Sequence, residues 1–216
     1  MIIDISQELF SCRVFPGDPA PQRITLSSIT DGAVCNLTAV SMCAHNGTHV
    51  DAPYHFIRDG RTIDQIPLER FVGPCWVAKR DGLVMGEDAA AILAEAQEKE
   101  ARRRILIAGR VTVTEEAAQV FADHGVWLLG NESQTVGPED APERVHEILL
   151  GSGTVLLEGI VLKDAEEGRY ILHAAPLNLG GGDGAPCRAY LMRQAEDERQ
   201  RRERSTRQRA AGTAEE

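Results

Sequence analysis

Four residues that bind metals fall in one short stretch, His45-Asn-Gly-Thr-His49-Val-Asp51-Ala-Pro-Tyr-His55, which holds three of the chain's six histidines. Nothing about folding asks for such crowding. Imidazole and carboxylate are the ligands that suit a borderline divalent ion such as zinc. A solvated polar loop is the plainer reading of the same residues, and the weaker one.

The intervening residues set the geometry. His45 and His49 have helical spacing, but Asn46-Gly47 between them is a turn signal and Pro53 follows closely. Pro53 lacks a backbone donor and pushes Ala52 towards an extended conformation, so one continuous helix is not expected. His49-Val50-Asp51 alternates as a strand does, placing imidazole and carboxylate on one face and Val50 on the other. Fully extended, His45 and His55 would stand about 33 Å apart at roughly 3.3 Å per residue, too far to share an ion. The chain must fold back, and Gly47 and Pro53 permit it.

Two more residues attract notice further on. Glu158 stands inside Val155-Leu-Leu-Glu158-Gly-Ile-Val-Leu162, an otherwise apolar run. A buried, unpaired carboxylate is costly, so it must find a cation, a strong donor or a proton; a strand end reaching the surface is the plainer alternative. His146 shares a helix face with Leu149 and Leu150, where a lone histidine is more often a satisfied core residue than a ligand. Cys43, close to the histidine stretch, is another possible ligand, though a small apolar residue in a strand is the plainer reading.

The elements that must position these side chains change character along the chain. Ile2 to Ile5, Arg23 to Ile29, Cys35 to Cys43 and Phe71 to Lys79 read as strands. The Ala- and Glu-rich segment Asp88 to Arg102 reads as a helix, followed by the apolar strand Ile105 to Ala108. Thr112-Val-Thr-Glu115 resembles a capping box opening a helix that ends near Gly125. Val126 to Leu129 is a strand, Pro142 to Leu150 a helix and Thr154 to Leu157 a strand. Strands near Tyr170 to Leu179 and Cys187 to Met192 complete the series. Strand-helix alternation implies parallel βαβ units. The expectation is a single α/β domain over residues 1–192, with a β-rich N-terminal third and βαβ units in the middle. Residues 193–216 are nearly all polar and read as a flexible or solvent-helical tail.

A chain of 216 residues, 43% apolar and 26% charged, can bury a substantial core. Its net charge of -10 argues against nucleic acid phosphates as partners. No apolar run is long enough to span a bilayer, and the N-terminus has no secretory pattern. Five scattered cysteines without a CxxC pair fit reduced thiols in the cytoplasm.

The string His45 to His55 resembles the metal-dependent cyclase-like hydrolases, and within them the bacterial kynurenine formamidases. Phe15-Pro-Gly-Asp18, Pro67-Leu-Glu69 with Val72-Gly-Pro74, and Gly181 to Leu191 resemble further segments of that family. The resemblance covers essentially everything before Arg193. It implies a swivelling β/β/α fold with a mixed sheet, a homodimer and two divalent ions, usually zinc, with manganese or cobalt as alternatives. It further implies that His45, His49 and Asp51 hold one ion, that His146 and Glu158 supply the remaining ligands, and that Asp51 and Glu158 bridge. His55 matches the general acid/base, and Phe15 the aromatic residue beside the substrate ring.

The activity so implied is hydrolysis of N-formyl-L-kynurenine to L-kynurenine and formate in tryptophan breakdown. A divalent ion lowers the pKa of bound water, giving a hydroxide that attacks the formyl carbon while His55 protonates the departing arylamine. Several positions depart from the formamidase pattern. Phe15 stands for the commoner Trp, Gly130-Asn-Glu-Ser-Gln-Thr-Val-Gly-Pro138 for a segment like Gly-Ile-Asp-Thr-Pro-Ser-Val-Asp-Pro, and Gly159-Ile160 for Asn-Leu. Pocket walls set specificity, so a cyclic amide such as isatin, or another small amide or ester, is an alternative substrate. A structural ion without catalysis is the alternative from another class, disfavoured because structural zinc sites are usually closed and cysteine-rich.

Overall fold

Long apolar runs in the middle of the chain become strands with both faces buried. In the computed structural model, which describes residues 1–193, β5 (Val72–Lys79), β7 (Arg104–Ala108), β9 (Leu128–Asn131) and β10 (Val155–Glu158) lie side by side in parallel. Their alternate residues feed two separate cores. Val77, Leu106, Leu128 and Leu157 enter one, while Trp76, Ile105, Leu129 and Leu156 enter the other. Apolar residues at every position are what a sheet covered on both sides demands.

The second core lies under three helices. Helix α1 (Gly86–Glu98) buries Ala89, Ile92, Leu93 and Ala96, a spacing that keeps one stripe on one side. Helix α2 (Glu115–Asp123) buries Ala117, Ala118 and Phe121, and α3 (Glu143–Gly151) buries Val145, His146, Leu149 and Leu150.

Antiparallel strands extend the sheet at both ends. β11 (Gly168–His173), β13 (Tyr190–Met192) and β1 (Ile2–Asp4) follow outward from β5, while β4 (His49–Asp51) and β12 (Gly184–Pro186) follow from β10. The mixed sheet thus has nine strands. Two ribbons stand apart from it: β2 (Gln22–Ser27) with β3 (Leu37–Ser41), and β6 (Gly82–Val84) with β8 (Val111–Val113).

The α/β domain read from the sequence is therefore the one formed, and the differences are local. Helix α2 is capped by Thr114, whose side chain accepts from the Ala117 amide, because Thr112 is taken up by β8. Helix α1 starts two residues earlier than expected and stops at Glu98. The strand expected to reach Leu179 ends at His173. Strands β6, β8 and β12, three residues each, were not anticipated from the sequence. Arg193 donates to the Tyr170 hydroxyl at 2.7 Å and to Glu166 at 3.0 Å. The rest of the expected tail lies outside the described residues.

Candidate metal centre

Register decides which side chains meet. β4 pairs antiparallel with β10 so that His49 lies opposite Glu158, Val50 opposite Leu157 and Asp51 opposite Leu156. Val50 and Leu157 share the first core, so His49, Asp51 and Glu158 project on the other side, beneath the helices. Helix α3 brings His146 down onto that face. The cluster sits where the parallel strand β10 ends, the usual place for a site in a parallel sheet.

The turn before β4 delivers His45. Gly47 adopts φ +67°, a left-handed conformation that suits glycine, and its carbonyl accepts from His49 Nδ1 at 3.0 Å. After β4, Pro53 opens a 3-10 turn over Pro53–His55 that carries His55 back, stacked on His45 with ring centroids 4.0 Å apart.

Asp51 lies at the centre, 1% exposed. Its Oδ1 is 2.8 Å from His45 Nδ1 and 3.4 Å from His49 Nε2. Its Oδ2 is buried with no hydrogen-bond partner and lies 3.7 Å from His146 Nε2. Glu158 accepts from the Val136 amide through Oε1 at 2.8 Å, and that oxygen is 3.3 Å from His146 Nε2. Its Oε2 is 3.6 Å from His49 Nε2. The surface alternative for Glu158 is therefore excluded: the residue is 2% exposed and faces two imidazoles.

These imidazoles are oriented for a cation. His49 Nδ1 donates to Gly47 O and His146 Nδ1 donates to Pro142 O at 2.8 Å, leaving each Nε2 turned into the cluster. An outer nitrogen held by a backbone carbonyl is how proteins fix the tautomer of a metal-binding histidine. Together with the unpartnered Asp51 Oδ2, this donor set fits a divalent ion. Two groups of donor atoms each lie within 4.8 Å of one another: His45, Asp51 and His55, and His49, Asp51 and Glu158.

The acidic and basic side chains of the cluster shift one another's titration. Burial opposes charge on His45, yet hydrogen bonds to Asp183 and Asp51 outweigh it and push its pKa up to about 11. His146 rises to about 9, burial again being outweighed by Glu158. His49 is raised against its burial by Asp51, and the two histidines hold Asp51 well below the usual carboxylate range despite its own burial. His55 behaves differently: burial lowers its pKa, so its ring is neutral near pH 7.

Seven of the eight residues singled out in the sequence come together here. Phe15, His45, His49, His55, His146 and Glu158 line one cavity of about 220 Å³, and Asp51 lies against them. Cys43 is not among them; its thiol contacts Asp18 at 3.8 Å, outside any strand. Several partners were not anticipated. Asp183 accepts from His45 Nε2 at 2.9 Å and lies 3.4 Å from His55 Nδ1, and the His45 contact lowers its pKa to about 2. Phe56 packs on His146 with centroids 4.6 Å apart. Gln134 and Thr135 complete the wall. Asp183 lies within Gly181 to Leu191, one of the segments already noted, but nothing in its spacing marks it as a partner of His45.

The family model described as a putative cyclase matches residues 3–138, ending before His146 and Glu158. A kynurenine formamidase of Salinibacter ruber is 35% identical over 204 residues, covering 88% of this chain and 96% of its own. A kynurenine formamidase of Paracidovorax citrulli is 33% identical with the same coverage. Among solved structures, one described as a potential metal-dependent hydrolase with cyclase activity superposes with a TM-score of 0.73 at 27% identity, over 90% of this chain and 98% of that one. The agreement spans nearly the whole domain, including β10 and α3, and the chain belongs to the putative cyclase family.

Proposed function

We propose that this protein is a metal-dependent amidohydrolase that cleaves N-formyl-L-kynurenine to L-kynurenine and formate, in the cytoplasm and as part of tryptophan breakdown. The observation that carries the metal is the pair His49 and His146, each with Nδ1 on a backbone carbonyl and Nε2 facing Asp51 and Glu158. The names of the formamidase relatives support the substrate. Five free cysteines among the described residues agree with a reducing compartment.

His45, His49 and Asp51 would hold one ion, and His146 and Glu158 would supply the ligands of a second. Zinc suits these donors, and manganese or cobalt would also be accepted. Bound there, the ion lowers the pKa of a water and polarises a carbonyl.

The chain's own residues do the rest. Phe15, which lines the cavity, offers a ring face to the aryl group. His55, neutral near pH 7, takes a proton from the water that adds to the formyl carbon. Asp183, facing Nδ1 of His55, favours the tautomer whose other nitrogen is free for that transfer. His55 then gives the proton to the arylamine nitrogen as the C–N bond breaks. One C–O bond forms, one C–N bond is lost, and formate and the free amine leave.

A homodimer is part of the same proposal. The β2–β3 ribbon exposes Ile24, Leu26 and Leu37, an apolar patch that a second copy would cover. Metal analysis combined with hydrolysis of N-formyl-L-kynurenine tests the whole reading. Bound metal with formate release supports it. Bound metal with turnover of cyclic amides or esters alone rejects the substrate, and bound metal without any hydrolysis rejects the enzyme.

A further inference from the structure

Away from the metal centre, four arginines gather where β7 and β9 begin. Arg104, the first residue of β7, is 4% exposed. Its guanidinium donates to three backbone carbonyls, those of Glu69, of Arg70 at 3.1 Å and of Pro74 at 3.2 Å. Gly73, at φ +138°, leaves room for it: a Cβ there would come within 2.8 Å of Nη1. Carbonyls orient the group without cancelling its charge, so a full positive charge is held inside the fold.

Other guanidinium groups crowd that charge. The Cζ atoms of Arg70, Arg103 and Arg104 lie 4.9, 4.1 and 5.4 Å from the centroid of one indole, that of Trp127. The ring face attracts each cation but does not remove their mutual repulsion. Arg61 adds a fourth charge, which acts on Arg70 together with that of Arg103. Among the described residues, no carboxylate lies within ion-pairing distance of any of the four. In a chain with 33 acidic residues against 23 lysines and arginines, unpaired arginines gathered in one place point to a counterion from outside.

Arg70 and Arg61 also line a cavity of about 430 Å³. Ile57, Ile66 and Leu150 give it an apolar wall, and Asp59 lines it without pairing to either arginine. It shares no lining residue with the cavity over the metal centre. We infer that Arg61, Arg70 and Arg103 form a binding site for a small anion with two negative charges and an apolar body. Guanidinium groups present paired N–H donors that match the oxygens of a phosphate or a carboxylate. Arg104 supplies a fixed positive charge behind them, and the apolar wall receives the body of the ligand. An alkyl phosphate and a dicarboxylate both have this chemistry. The site stands whether or not the hydrolase reading above does.

Calorimetric titration with butyl phosphate and with glutarate, against sodium chloride at matched ionic strength, tests it. The proteins are the metal-loaded chain, the same chain after chelation, Arg70→Gln, Arg103→Gln and, as a control, Arg110→Gln, with thermal midpoints recorded for each. The expected result is saturable binding of one equivalent of at least one probe, weakened roughly 10-fold or more by Arg70→Gln and by Arg103→Gln. Arg110→Gln and removal of metal should change the affinity by less than about threefold. The tighter of the two probes identifies the head group. Binding of neither probe beyond the chloride control overturns the inference. Binding that survives both cluster variants, or that disappears with the metal, places the anion elsewhere and overturns it as well.

Discussion

Asp51 meets His45 with one carboxylate oxygen and leaves the other buried and unpartnered, an arrangement that fits a cation on that side. Asp51→Asn should therefore weaken metal binding by more than the roughly 10- to 100-fold typical of a residue that merely supports a ligand. Competition with a chelator of known affinity measures it. His55 has two possible employments, since its ring also lies within ligand distance of His45 and Asp51. His55→Ala should keep the full metal content and lose about 10²- to 10⁴-fold in kcat. Loss of an ion from that variant would make His55 a ligand instead. The cluster from His45 to His55 was legible because its members are neighbours in sequence and chemically unusual together. Asp183 was not, because a single aspartate in a glycine-rich loop looks like any turn until β12 docks beside β4.

At the scale of elements, α3 and the β2–β3 ribbon make opposite demands. Helix α3 holds His146 over the cluster by burying Leu149 and Leu150 on the same face. Leu149→Ala should cost about 2–5 kcal/mol in denaturant unfolding, because a fully buried leucine leaves a cavity the sheet cannot fill. The ribbon, by contrast, buries almost nothing within its own chain. Leu26→Glu should leave thermal stability nearly unchanged and shift the dimer towards monomer in sedimentation, and a wild-type chain that sediments as a monomer would sink the dimer proposal. The helices and the buried parallel strands were readable because each carries several turns or residues of pattern. Strands β6, β8 and β12 were not: their pairing depends on distant partners, and Thr112, suited to a cap by type, is claimed by β8 instead.

For the whole molecule, the metal-free and loaded proteins should respond to pH in opposite ways. In the metal-free protein the folded pKa of His146, about 9, exceeds its ordinary value of 6.5. Its stabilisation is thus complete below about pH 6.5 and is lost as pH rises through 9. Asp183 is depressed from 3.8 to about 2, so its contribution is present above pH 3.8 and is lost as pH falls through 2. Ligand histidines must give up those protons to an ion, so the gain from metal grows with pH. Thermal midpoints of chelator-treated and zinc-loaded protein should diverge steadily between pH 6 and 9; a constant gap would mean that no histidine proton is displaced. The pairing of β4 with β10 has one more consequence. It joins segments held by a contact such as Thr48 to Gly159, 111 positions apart in the chain. His45, His49 and Asp51 leave the ribosome long before His146 and Glu158. On the ligand set proposed above, the second ion can therefore be taken up only by a chain with β10 in place, which makes its loading a late checkpoint.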